Sequence, residues 1–196
     1  MNRGEANDFA EVTFVFLDRD GVLNRKPPAG EFITRVEDME LLPGVERAIE
    51  ALNHSRRKAI VVTNQRGVAL GLYSVDDLTR IHVRLLERLA AEGAYLDAIL
   101  ICPHDEGECN CRKPKTGLIE KAFRKFPAAR ATNSVMIGDS LCDMLMGRRM
   151  GMRTVLVDDT PDSDAADLQG ARVLAQLTVT SLEEFVQRYL CPKQQS

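Results

Sequence analysis

Short, β-rich apolar runs separated by single helical stretches predict an α/β protein with a doubly wound, mostly parallel sheet and helices on both faces. Two further observations support that class. The unusual polar residues fall immediately after the apolar runs, on what would be the carboxyl edge of a parallel sheet. The chain has 196 residues, 44% hydrophobic and 28% charged, which suits one globular domain with a core large enough to stand without disulfides.

The elements follow in order. Val12 to Leu17 (VTFVFL) is a compact run of the kind a strand buried on both faces requires. Pro43 and Gly44 open a stretch in which Val45, Ala48, Ile49 and Leu52 fall at helical spacing. Ala59 to Thr63 is the second strand. Ser74, with Asp77 three residues on, resembles a capping box, and Leu78, Ile81, Leu85 and Leu89 continue its helix. Leu96 to Ile101 reads as the third strand, Leu118 to Phe126 as a helix and Val135 to Ile137 as the fourth strand. A helix from Leu141 to Met150 ends at Gly151, before a strand from Thr154 to Val157. Asp158 to Asp167, acidic and broken by proline, reads as a surface linker. Ser181 and Glu184 cap a last helix carrying Leu182, Phe185, Val186 and Tyr189. Residues 1–11 are expected to be a disordered lead-in, 12–190 one domain and 191–196 a tail.

Composition excludes several functions. With 26 basic against 29 acidic residues, a net charge of −3, no general polyanion or nucleic-acid surface is expected. No apolar run approaches the ~20 residues of a membrane helix, and the polar first eleven residues lack a secretory plan. The five cysteines are an odd number, which argues against a disulfide framework and for a reducing, cytoplasmic setting. The sequence leaves the oligomeric state open, a monomer included.

Three motifs follow strand ends. Asp18 and Asp20, in FLDRDGVLN, are spaced so that an extended chain points both carboxylates one way, and two oxygen donors suit Mg²⁺. Taken alone the pattern also fits a polar turn, or the metal motif of a sugar-nucleotide transferase. Thr63-Asn64-Gln65 offers a hydroxyl and freed N–H groups to a phosphate oxygen, or makes an ordinary turn. Asp139 stands where a strand hands over to a helix, so a helix cap is its alternative, and Asp143 lies one turn further on the same side.

The sharpest local signal is Cys102-Pro103-His104 followed by Cys109-Asn110-Cys111. Three thiols and an imidazole within ten residues match a closed, tetrahedral Cys₃His zinc site, which is structural rather than catalytic. The loop 102–111 would then fix Arg112-Lys113-Pro114 beside it. His54, His82, Cys142 and Cys191 read as ordinary surface, core-edge or tail residues, and Met144, Met146, Met150 and Met152 as core filling.

Together, D-x-D-G-V-L-N, T-N-Q, R-K-P and G-D-x-x-x-D, in that order from Val12 to about Val157, resemble the haloacid dehalogenase superfamily. The resemblance implies a Rossmann-like fold and a Mg²⁺-dependent phosphomonoester hydrolase. It makes Asp18 the nucleophile, Asp20 the general acid/base, and Thr63 and Lys113 the groups that steady the phosphoryl. Asp18, Asp20 and Asp139 would hold Mg²⁺, with Asp143 as a supporting neighbour. The cysteine motif narrows the resemblance to the capless, zinc-containing branch that includes heptose-1,7-bisphosphate 7-phosphatases and histidinol phosphatases. Only 45 positions separate Asp18 from Thr63, which leaves no room for a cap domain. Ser140 departs from the basic residue that branch often carries there.

Three loops must therefore shape the pocket: Arg25 to Glu31, Gln65 to Gly71 and Cys102 to Pro114. Besides Lys113 they carry Arg25, Lys26, Arg66 and Arg112, and with Asn64 and Gln65 these are the expected substrate contacts. Such a rim suits a second phosphate better than a cationic amino alcohol. A small phosphorylated metabolite, a sugar bisphosphate before histidinol phosphate, is the expected substrate. A non-catalytic zinc-stapled scaffold is the remaining alternative.

Overall fold

The computed structural model describes residues 8–158 and 165–191. Six strands form one parallel sheet: β1 (Phe14–Leu17), β2 (Lys58–Asn64), β3 (Ala98–Cys102), β4 (Ser134–Gly138), β5 (Arg153–Val157) and β6 (Leu177–Val179). The helices are α1 (Val45–His54), α2 (Val75–Ala91), α3 (Gly117–Lys125), α4 (Leu141–Arg149), α5 (Ala165–Leu174) and α6 (Leu182–Phe185), the last continuing as a π-helical segment, Val186–Leu190. The strand order is β3-β2-β1-β4-β5-β6 with every pair parallel. That order reverses between β1 and β4, and the crevice beyond such a reversal is where doubly wound sheets take ligands.

Strand periodicity divides the core into two layers. Val15, Leu17, Val61, Val135 and Ile137 face α1, α2 and α6, whereas Phe14, Phe16, Ile60, Val62 and Met136 face Leu118, Ile119 and Ala122 of α3 and Met146 of α4. All four residues of β1 are therefore buried, and each large side chain so covered contributes roughly 1.5–3 kcal/mol. The expected capping box holds α2: the Asp77 N–H donates to Ser74 Oγ, and the Ser74 N–H to Asp77 Oδ2.

The structure departs from expectation where local pattern carries little information. Val12 lies outside β1, because its N–H turns back to the Phe9 carbonyl; hydrogen bonding to the neighbouring segments starts at Thr13. Residues 1–7 of the expected lead-in lie outside the described residues. Phe9, however, is buried at 1% exposure and packs edge-on against Phe185 and Tyr189, so the lead-in does not extend to residue 11. Of the expected linker, residues 159–164 lie outside the description, and α5 begins at Ala165. Asp167, read as linker, accepts the Leu141 N–H at 3.0 Å and so caps α4. Strand β6 was not expected at all, since three residues are too few to show a period. Among the described residues no helix is long and apolar enough to cross a membrane.

Candidate active site and cysteine loop

β1 and β4 lie side by side, with the Asp18 N–H donating to the Ile137 carbonyl at 2.9 Å, so the chain segments leaving both strands meet at the crevice. Oxygens of Asp18, Asp139 and Asp143 come within 4.8 Å of one another, all three residues buried. Gly21 lets the turn after β1 approach this closely. Its φ is +83°, and a Cβ there would sit 2.3 Å from Asp139 Oδ2. Lys113 Nζ stands 2.7 Å from both Asp18 Oδ1 and Asp143 Oδ1, and Lys26 Nζ 2.6 Å from Asp139 Oδ2. Ser140 Oγ donates to the other Asp143 oxygen at 2.5 Å.

Three buried carboxylates face two ammonium groups, leaving excess negative charge. Burial pushes Asp18 up to about 7, opposed by Lys113 and reinforced by Asp143, Asp139 and Asp20. Burial likewise raises Asp139 to about 6 against the pull of Lys26. Burial works against the charge on Lys113, but Asp143 and Asp18 outweigh it and hold the ammonium protonated well above its usual value. An all-oxygen donor set carrying surplus charge fits a hard divalent cation such as Mg²⁺.

The carboxylate of Asp20, expected in that set, is directed elsewhere, and Asp143 takes its place in the cluster. Arg19 Nη2 donates to both Asp20 oxygens, at 2.8 and 2.9 Å, while Asn24 Nδ2 adds 2.9 Å and Gln65 Nε2 3.3 Å. Burial alone would raise Asp20, but the Arg19 charge and these hydrogen bonds outweigh it and hold the carboxyl below its usual range. Thr63 Oγ1 accepts from the same Gln65 amide at 2.9 Å. Two expected substrate contacts thus serve the framework. Gln65 is 2% exposed with its amide committed to Asp20, Thr63 and the Tyr73 hydroxyl. Asn64 clamps Lys113, accepting its N–H at 2.9 Å and donating to its carbonyl at 3.2 Å.

Of the basic rim, Arg25 is exposed and paired to Glu40, Arg66 pairs with Asp105 at 2.6 Å, and Arg112 faces Glu106 at 3.9 Å. Arg112 Nη1 is buried without a hydrogen-bond partner, an unusual cost unless an acceptor arrives from outside the chain. The sequence reading missed Arg19, Asn24, Tyr73 and His82. The first two adjoin a recognised motif. The others belong to a distant loop and helix, and only the fold brings them in.

Cys102, His104, Cys109 and Cys111 converge on one point. Cys111 Sγ lies 3.1 Å from Cys102 Sγ, 3.3 Å from Cys109 Sγ and 3.4 Å from His104 Nδ1. Burial opposes ionisation of Cys109, but hydrogen bonds from Cys111 and the backbone N–H groups of Arg112 and Cys111 prevail and lower it to about 6. A thiolate so supported, beside two further thiols and an imidazole, is a donor set that fits zinc.

His82 offers a pH test of this architecture. Burial, then the adjacent Arg19 charge, depresses its pKa from 6.5 to about 4. Between those values the unfolded chain binds a proton that the folded one refuses, so this contribution to stability is full above pH 6.5 and is lost as pH falls toward 4. Thermal melts should show the parent losing several degrees more than His82→Gln across that window. Parallel curves would contradict the assignment.

Known proteins resemble this chain in sequence and in fold. A family model for HAD-hydrolase-like proteins matches residues 110–185. The D-glycero-alpha-D-manno-heptose-1,7-bisphosphate 7-phosphatase of Mycobacterium bovis is 40% identical over 131 residues, covering 66% of this chain and 68% of the relative. The chain belongs to the haloacid dehalogenase-like family. Another member, the D-glycero-D-manno-heptose-1,7-bisphosphate 7-phosphatase of Thermosynechococcus vestitus, is 38% identical over 155 residues, 73% of this chain and 77% of that one. Among solved structures of the family, the D,D-heptose 1,7-bisphosphate phosphatase from B. bronchiseptica, complexed with magnesium and phosphate, superposes with a TM-score of 0.80 at 28% identity. That match covers 91% of this chain and 98% of the other.

Proposed function

We propose that this haloacid dehalogenase-like protein is a Mg²⁺-dependent phosphomonoester hydrolase acting on a sugar bisphosphate, D-glycero-D-manno-heptose 1,7-bisphosphate, at its C7 phosphate. The observation that carries the reading is the buried cluster of Asp18, Asp139 and Asp143 against Lys113, at the sheet's switch point, in a chain whose relatives are named for that reaction. The orphan N–H of Arg112 supports recognition of a second anionic group. A site relying on thiolates and an imidazole for its zinc loop suits the reducing cytoplasm.

Asp18, Asp139 and Asp143 would hold the magnesium ion, which when bound supplies charge neutralisation between the phosphoryl oxygens and the attacking carboxylate. That repulsion is otherwise about 4 kcal/mol per charge pair at 4 Å and an effective dielectric of ~20. Lys113 bridges Asp18 and the incoming phosphoryl, and the clamp from Asn64 fixes its backbone. An oxygen of Asp18 attacks phosphorus and the ester P–O bond breaks. Asp20 delivers a proton to the departing sugar oxygen. Arg19 holds Asp20 ionised in the free enzyme, so Asp20 takes the proton it delivers from solvent water once the anionic ester binds beside it and raises its proton affinity. Water then attacks the aspartyl-phosphate, Asp20 accepts its proton, phosphate leaves, and the Asp18 carboxylate is restored.

Phosphate release measured with Mg²⁺ over a panel of phosphosugars and histidinol phosphate tests the reading. The heptose bisphosphate should exceed histidinol phosphate in kcat/KM by at least ~100-fold, about 3 kcal/mol of transition-state discrimination. The reverse order would reassign the substrate. No release from any phosphomonoester would leave a zinc-stapled scaffold.

A further inference from the structure

Among the described residues Arg19 is the largest fully buried side chain, 1% exposed, and the reaction above gives it no contact with substrate. Its guanidinium grips the carboxylate of its neighbour Asp20, with Nε adding a third contact at 3.2 Å, while Nη1 reaches His82 Nε2 at 3.3 Å on α2. From the other side, the Tyr73 hydroxyl donates to Gln65 Oε1 at 2.8 Å, which turns the Gln65 amide toward Asp20 Oδ2. Tyr73 lies over Gly67, where a Cβ would come within 2.2 Å of the ring. The loop after β2 is thereby closed onto its own ring.

The geometry points to a positioning apparatus, Arg19–His82 on one side and Tyr73–Gln65 on the other, that aims Asp20 at the leaving oxygen. This inference rests on the reading of Asp20 as the proton-transfer group. Oδ1 takes three donor contacts, from Arg19 Nε, Arg19 Nη2 and Asn24 Nδ2, whereas Oδ2 takes two, the Gln65 contact being long at 3.3 Å. Oδ2 is therefore the oxygen left to exchange a proton. A planar guanidinium fixes both the position and the plane of a carboxylate, which an ammonium at the same place does not. Arg19 and Tyr73 touch no reacting atom; they act through Asp20.

Leaving-group dependence separates positioning from a merely structural role. An alkyl phosphate expels a strongly basic oxygen and needs the acid, whereas 4-nitrophenyl phosphate expels a weakly basic one and does not. Rapid-mixing measurements would follow phosphoryl transfer to the enzyme from the heptose bisphosphate and from 4-nitrophenyl phosphate. Asp20→Asn should slow the alkyl ester by about 10³-fold and the nitrophenyl ester by less than about 10-fold. Arg19→Lys should follow the same pattern at about 30–100-fold against less than about 3-fold, with KM unchanged, as expected of a misaimed group. Tyr73→Phe, which removes one hydroxyl and leaves the ring on Gly67, should show the selectivity more weakly, about 5-fold on the alkyl ester alone. Selectivity in Asp20→Asn with equal or no losses in Arg19→Lys and Tyr73→Phe overturns the positioning inference alone. Lack of selectivity in Asp20→Asn overturns the acid/base reading on which it rests.

Discussion

Replacing Asp18 by asparagine should abolish turnover, by at least ~10⁴-fold in kcat, while leaving the fold intact and the melting temperature of the metal-free protein at or above the parent's. The kinetic part follows because a carboxamide cannot form the covalent phosphate ester, and loss of a nucleophile removes the whole covalent route. The stability part follows from electrostatics. Asp18 is driven up to about 7 by burial and by three neighbouring carboxylates, so its charge is held at a cost, and a neutral amide relieves it. Lys113 keeps Asp143 as a partner at 2.7 Å. Calorimetry with a steady-state phosphate assay checks both halves. Measurable turnover would remove the nucleophilic role, and a large drop in melting temperature would show that the acidic cluster stabilises the apo fold rather than straining it.

The second large effect is expected at the loop of Cys102, His104, Cys109 and Cys111, the proposed zinc ligands. Cys109→Ser should lose stoichiometric zinc, melt at least ~5 °C lower and lose activity in the same step. Structural zinc sites contribute their binding free energy to folding, with apparent values of about 10–16 kcal/mol in isolated fingers. Here the sheet folds around its own core, so a smaller share of that energy is lost. Activity follows because Cys109 Sγ accepts the Arg112 N–H at 3.3 Å, one residue before Lys113. Gly117 also packs its Cα against the Asn110 carbonyl, where a Cβ would come within 2.5 Å. Loop and lysine therefore move together. Metal content by elemental analysis, read beside melting and phosphate release, decides it: full zinc occupancy in the variant would contradict the ligand set.

Much of the site was legible because parallel topology does the sorting. A polar residue one step beyond a buried apolar run must emerge at the carboxyl edge, so Asp18, Thr63, Cys102 and Asp139 could be placed together before any side chain was seen. The convergence of Cys102, His104, Cys109 and Cys111 was legible from local spacing alone. Side-chain direction was not. Asp20 was expected to share the cation, but a buried arginine between the two aspartates draws its carboxylate away, and no two-residue spacing encodes that choice. Asp143 enters the cluster because Gly138 leaves it room; a Cβ there would lie 2.2 Å from that of Asp143. His82 reaches Asp20 only through Arg19, and Tyr73 only through Gln65, and such relayed contacts leave no periodic trace. In the same way β6 is three residues long, and α5 carries a glycine at Gly170 that weakens its helical pattern.

The central claim is that Asp18 carries the phosphoryl group between substrate and water. Acid-quenching the enzyme during turnover of substrate labelled in its C7 phosphate, then mapping the labelled peptide by mass spectrometry, tests it directly. The label should sit on Asp18, disappear in Asp18→Asn, and accumulate in a variant slowed in its hydrolytic half-reaction. Label on any other side chain, or full turnover with no labelled protein at any quench time, would contradict the account.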